Sequence, residues 1–231
     1  MYKRFSMIKP CLSSNRFLSS LGAIVFYCYS ALCFANPTAL KAGHYLDVTT
    51  GKWHQDKIIL IDDKGQIEAI GSTVPEGARL IDLSDKYLLP GLMDMHTHLL
   101  ANLDKTYFAG LFQSPHRATI GGVVNAKITL EAGFTSVRNV GAYDFQDVAL
   151  RNAINAGEVP GPRMAVSGPS LGITGGHCDN NVFNHSYDIQ AQGVANGPWA
   201  VRERVRNNAK YGVDLIKFCA TGGVFSKGTK V

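Results

Sequence analysis

The chain has 231 residues, 45% of them hydrophobic and 18% charged, which supplies enough apolar side chains for a sizeable core and excludes a disordered polymer. Its formal charge is +5, but Lys3, Arg4, Lys9 and Arg16 all precede the first acidic residue, and without them +1 remains. A balance so close to neutral gives no reason to expect a nucleic-acid partner.

Residues 1–35 read as a secretory signal. A basic start is followed by an apolar stretch from Phe17 to Ala35, and Ala31-Leu32-Cys33-Phe34-Ala35 before Asn36-Pro37 places small residues where a signal peptidase cuts. The expectation is a periplasmic or secreted protein with no membrane attachment after cleavage. An uncleaved anchor is the alternative, because the run approaches the roughly 20 residues that span a bilayer. Three of the five cysteines lie in this segment, leaving Cys178 and Cys219. Two cysteines so far apart do not make a disulfide scaffold. They are expected as small buried hydrophobes, with pairing in an oxidising compartment as the alternative.

Residues 36–88 show short alternating runs at Thr38–Ala42, Lys57–Ile61, Gln66–Ile70 and Arg79–Leu83. Asp62-Asp63-Lys64-Gly65 joins two of them as a hairpin would. This is a small β unit without a catalytic cluster, in which His44 and His54 are expected as surface residues.

The stretch Leu88-Leu89-Pro90-Gly91-Leu92-Met93-Asp94-Met95-His96-Thr97-His98-Leu99 changes the character of the chain. Apolar residues after a Pro-Gly entry predict a short buried strand, on which side chains two apart share a face. His96 and His98 then project together, with Asp94 one layer deeper. Two converging imidazoles are half of a zinc site, since zinc takes neutral histidine nitrogens at about 2.0–2.1 Å. The same spacing also suits solvated or hydrogen-bonding histidines.

From there strands and helices alternate. A helix is predicted over Ala118–Gly133, a strand over Phe134–Gly141, a helix over Asp144–Ala156 capped by Asp144, and a strand over Arg163–Ser167. A helix over Trp199–Tyr211 leads to a fourth strand over Val213–Ala220. Alternation of this kind implies a parallel sheet, and four strand–helix units are half of an eightfold barrel. Gly168–Pro198 is a long loop at the carboxyl end of the third strand, where barrels build active sites. It carries His177, either a substrate-facing residue or one satisfied by solvent.

Lys217 falls inside the fourth strand with Leu215 and Cys219 on its face. Burial there favours the neutral amine. A neutral amine can add carbon dioxide and become a carbamate, whose two oxygens can bridge two metal ions. The other reading is a lysine that snorkels to the strand end or pairs with a carboxylate. Thr221-Gly222-Gly223 offers backbone donors just beyond.

Pro90-Gly91-Leu92-Met93-Asp94-Met95-His96-Thr97-His98 resembles the strand-one signature of the amidohydrolase superfamily. Thr135–Gly141, Gly175-Gly176-His177 and Ile216–Gly223 resemble its prolidase-like, Xaa-dipeptidase branch, near imidazolonepropionase. The resemblance implies an α/β fold with a (β/α)8 TIM-like barrel, here only its first four strand–helix units over residues 89–231, preceded by part of a β-sandwich over 36–88. It implies two zinc ions, with His96 and His98 on one, Lys217 as a carboxylated bridge, and His177 and Arg138 beside a dipeptide or other small-molecule substrate. A metal-bound hydroxide would attack the amide carbonyl. Asn139 departs from the acid often found there. No residue of this chain is assigned the general base, because the family draws an aspartate and two further histidines from later strands. Residues 91–231 fall short of the roughly 250 of a whole barrel. The expectation is the front part of a longer hydrolase, inactive by itself, with self-association through its open edges. A non-catalytic binding protein and a cyclic-amide or lactone hydrolase are the alternatives.

Overall fold

The computed structural model describes residues 37–101, 113–179, 181, 183–223 and 226. The signal expected over residues 1–35 lies outside the described residues. The described chain divides into two compact units, one taking in the residues through Ala42 together with Asp56–Ser84, the other Gly43–Gln55 and the residues from Asp85 onward.

Four strands, β1 (Thr38–Asp47), β2 (Lys52–Ile61), β3 (Ile67–Gly71) and β4 (Arg79–Leu88), form a sheet in the order β3-β2-β1-β4. Most run longer than the alternation predicts. The expected hairpin is present: β2 and β3 pair antiparallel, and the Asp62 carboxylate closes the turn by accepting the Lys64 and Gln66 N–H groups at 3.0 and 2.7 Å.

The second sheet has the order β5-β6-β7, from β5 (Leu92–Thr97), β6 (Phe134–Asn139) and β7 (Arg163–Val166), and both pairings are parallel. Helix α1 (Pro115–Glu131) links β5 to β6, α2 (Gln146–Asn155) links β6 to β7, and α3 (Pro198–Lys210) follows the long loop. The start of α1 has Pro115 in its first turn and the Ser114 hydroxyl accepting the Arg117 N–H, two features that suit a helix N-terminus. Between sheet and helices Val137, Val166, Leu150 and Ala126 form a core with at most 2% exposure.

Two expectations are corrected. Asp144 does not cap α2. It and Phe145 are both left-handed, and Asp144 instead exchanges hydrogen bonds with the Gln192 side chain, its own N–H donating at 2.8 Å. The fourth strand is reduced to a single bridge, Phe218 beside Leu171. Its segment still lies along β7, where Asp214 and Leu215 both donate to the Val166 carbonyl. However, the Asp214 carboxylate accepts the Val166 N–H at 2.9 Å, the donor a continuous ladder would have used. Arg151 of α2 holds that carboxylate in place at 2.7 Å. Among the described residues the parallel sheet therefore has three strands, not four.

Replacing Asp214 by Ala removes the acceptor of Val166 and the partner of Arg151. The Asp214→Ala protein is expected to lose about 1–3 kcal/mol of stability. Faster hydrogen exchange at the Val166 amide, measured by NMR, checks that the loss arises at this bond.

Candidate active site

The carboxyl ends of β5, β6 and β7 lie side by side, and the chemistry-bearing residues gather there. His96 and His98 do project together, with ring centroids 5.3 Å apart and planes at 60°. The cause is not a regular strand. Between Asp94 and Thr97 three steps of β5 are matched by two of β6, which is a bulge that breaks the alternation. At the bulge the Asp94 carboxylate turns back to accept the His96 N–H at 2.9 Å, so it braces the backbone and does not form a deeper layer beneath the imidazoles. Thr97, between the histidines, is buried on the opposite side and donates to the Arg138 carbonyl. Arg138 is exposed, but its Nε donates to the Met95 carbonyl at 2.7 Å, tying β6 to the bulge.

The His98 ring lies against the Gly141 backbone. Gly141, at φ +146°, must be glycine: a Cβ would stand 2.7 Å from the Ser170 hydroxyl and 3.6 Å from the His98 ring. Although the His98 residue is exposed at the rim, protein beneath the ring removes enough water to hold its pKa below the usual imidazole value. The charges of His96, Lys217 and His177 act in the same direction. Those three contributions place His96, Lys217 and His177 each within electrostatic reach of His98.

Lys217 is half-buried and lies in irregular backbone, with its carbonyl accepting the Leu171 N–H at 2.8 Å. The expectation of a lysine enclosed in a regular apolar strand is corrected by the Asp214 arrangement described above. His177 is exposed on the long loop, where its N–H donates to the Thr221 carbonyl at 3.3 Å. A Cβ on Gly223 would fall 1.9 Å from His177 Nδ1, so only a bare backbone passes this close to the ring. His44 and His54 are elsewhere, stacked on Tyr87 and Tyr45.

Cys178 and Cys219 form a disulfide with Cα atoms 5.8 Å apart. This corrects the expectation of two unpaired buried thiols. The bond joins the residue after His177 to a residue two beyond Lys217, and so clasps the loop onto the fourth segment. Asp179, 7% exposed, shapes the loop from inside by accepting the Gly175 and Ala191 N–H groups at 2.9 and 3.0 Å.

Sequence reasoning singled out Asn139 only as a departure from the acid often found there, without a role, and missed Asp147. Both are fully buried, and their hydrogen bonds reach the ends of all three parallel strands. The one signal available was an acidic residue in the first turn of a helix, which suits the helix dipole and marks nothing else.

Among the described residues no three His, Cys, Asp or Glu side chains gather to hold a metal ion. The donors on offer are two imidazoles and a lysine amine, which would have to be modified to serve as a ligand. Residues 87–230 match the amidohydrolase family. The chain belongs to that family. The ochratoxinase of Aspergillus niger is 31% identical over 157 residues, covering 61% of this chain and 32% of that protein. A solved Xaa-Pro dipeptidase with methionine bound in its active site superposes with a TM-score of 0.73 at 33% identity, covering 83% of this chain and 48% of that one. A solved prolidase complexed with N-methylphosphonate-L-proline gives a TM-score of 0.73 at 30% identity, covering 85% and 49%. This amidohydrolase chain thus spans less than half the length of each.

Two measurements check the site. Because the folded-state pKa of His98 lies below that of the unfolded chain, the unfolded chain takes up the proton first as the pH falls. Stability is expected to drop from about pH 6.5 downward through the depressed value, and Lys217→Met is expected to raise the His98 midpoint seen by NMR. Reducing the disulfide with dithiothreitol is expected to expose the loop between Gly168 and Pro198 to proteolysis, with little change in cleavage of the first sheet.

Proposed function

We propose that this chain supplies the first metal-binding part of an amidohydrolase that hydrolyses amide bonds of dipeptides or N-acyl amino acids. The observation that carries the reading is the convergence of His96, His98, His177 and Lys217 at one edge of the parallel sheet. The donors suit a divalent metal. Burial holds the His98 pKa below the usual imidazole value, which favours the neutral, ligating form near pH 7.

In this reading His96 and His98 would hold zinc, and Lys217, once carboxylated, would add oxygen ligands to the same metal centre. Such ions, when bound, supply Lewis acidity for the carbonyl and an activated water. The chain's own residues do the rest of the work. His177, held against Gly223 and clasped by the disulfide, faces the substrate's polar end. Arg138, anchored at Nε to Met95, has its terminal nitrogens to offer to a carboxylate. A dipeptide presents both an amide and a carboxylate, and likeness to a Xaa-Pro dipeptidase and a prolidase supports that substrate class. Export to the periplasm or exterior is part of the proposal, supported by the basic and apolar start of the chain and by a disulfide that suits an oxidising compartment.

Zinc uptake by equilibrium dialysis tests the reading, followed by assay of the loaded protein against Xaa-Pro dipeptides. Wild type is expected to bind zinc, the His96→Ala/His98→Ala protein is expected to bind none at the same concentration, and Lys217→Ala is expected to bind less than wild type. Equal uptake by all three would overturn it.

A further inference from the structure

We infer that Asn139 is the positioning residue of His98, held in register by Asp147. The inference rests on the reading of His98 as a metal ligand, and it names the residue that presents the ligand. Asn139 ends β6 with 0% exposure, and each part of its amide is engaged. Its Oδ1 accepts the N–H of Leu99, the residue directly after His98, at 2.8 Å. Its Nδ2 donates to the Gly141 carbonyl at 3.2 Å and to Asp147 Oδ2 at 3.4 Å.

These bonds fix both ends of His98. On the backbone side, the Leu99 peptide is gripped twice, its N–H by Asn139 and its carbonyl by the Asn125 amide of α1 at 2.7 Å. On the ring side, Asn139 holds the Gly141 carbonyl, and the backbone it fixes there lies against the imidazole: a Cβ on Gly141 would stand 3.6 Å from the His98 ring. The amide has one workable orientation. Turned over, its NH2 would face the Leu99 N–H, and its oxygen would face a carbonyl and a carboxylate.

Asp147 enforces that choice. Besides Asn139, it accepts the N–H groups of Val148, Ser167 and Gly168 at 2.9, 3.2 and 3.0 Å, so the carboxylate is fixed to α2 and to the end of β7. The position of β7 is thereby transmitted through two side chains to an imidazole on β5. A residue present only to fill the core would be better apolar, since burying an amide is costly unless its partners are placed for it. The consequence for His98 is a ring held in one setting against the Gly141 backbone, for which a single tautomer is expected. Fixing ring orientation and tautomer in this way typically sets metal affinity within a range of about 10–100-fold.

The experiment uses the full chain labelled with 15N-histidine, reading the ring nitrogens by NMR and zinc affinity by competition with a chromogenic chelator. Wild type is expected to show one His98 tautomer. Asn139→Ala is expected to mix the tautomers of His98 while leaving His44 and His54 unchanged, and to weaken zinc binding about 10–100-fold. Asn139→Asp keeps the shape and the acceptor toward Leu99 but loses both donors, and it carries the same test should the alanine variant fail to fold. Wild-type ring signals for His98 in a folded Asn139 variant, even one with a lowered melting temperature, overturn the inference. Absence of zinc binding in every form, wild type included, counts against the metal reading alone, with the tautomer pattern still deciding the role of Asn139.

Discussion

A carboxylate sealed from solvent holds the carboxyl edge of the parallel sheet together. Asp147 has no exposure, and the loss of water pushes its pKa above the usual carboxylate value even though four hydrogen bonds pull the other way. Those donors come from Asn139 at the end of β6, from Ser167 and Gly168 after β7, and from Val148 on its own helix. Through Asn139 the connection reaches Leu99 at the end of β5. The three parallel strands are therefore tied at their carboxyl ends by side chains, where ladder bonds have run out and loops begin to diverge.

This tie explains why a bulged strand can still present two histidines in a defined way. The bulge between Asp94 and Thr97 breaks the ladder just before the site, and each broken position is met by a specific substitute. Asp94 accepts the His96 N–H, Arg138 donates to the Met95 carbonyl, and Thr97 donates to the Arg138 carbonyl. Bulges beside active sites re-aim side chains, and here the re-aimed ones are the imidazoles. The long loop is ordered by comparable means, with Asp179 closing it internally, Asn196 donating to the Thr174 hydroxyl, and the disulfide fastening it to the fourth segment.

How much of this could be read from sequence follows from the range of each interaction. The helices and the parallel strands were legible because periodicity and terminal signals such as the glycine stop at Gly133 act over a few residues, although the Ser114-Pro115 start of α1 went unread and the helix begins three residues before Ala118. The histidine pair was legible from its spacing, though the reason for its geometry was not. Asn139 with Leu99, Asp147 with Ser167 and Asp214 with Val166 are contacts between residues 20 to 48 apart, and nothing local announces them. The fourth strand failed for the same reason: Val213–Ala220 has a strand's composition, but Asp214 uses its side chain where the ladder would have used a carbonyl. The cysteine pair was misjudged because a separation of 41 residues says nothing about the 5.8 Å between their Cα atoms.

The electrostatics of the edge narrow what it can do. His96, His177 and Lys217 all act on His98, and the acidic groups nearby in the chain are already engaged: Asp94 on the His96 N–H, Asp147 on its ring of donors, Asp179 inside the loop. Burial and the neighbouring positive charges both disfavour the imidazolium, so near neutral pH His98 is uncharged. A neutral imidazole is an electron-pair donor suited to a Lewis acid. A carbamate on Lys217 would go further and turn a cation into an anion. The same basic cluster that is awkward as a set of free cations becomes consistent as a ligand set, and a substrate carboxylate is the complementary charge for any basic group left over.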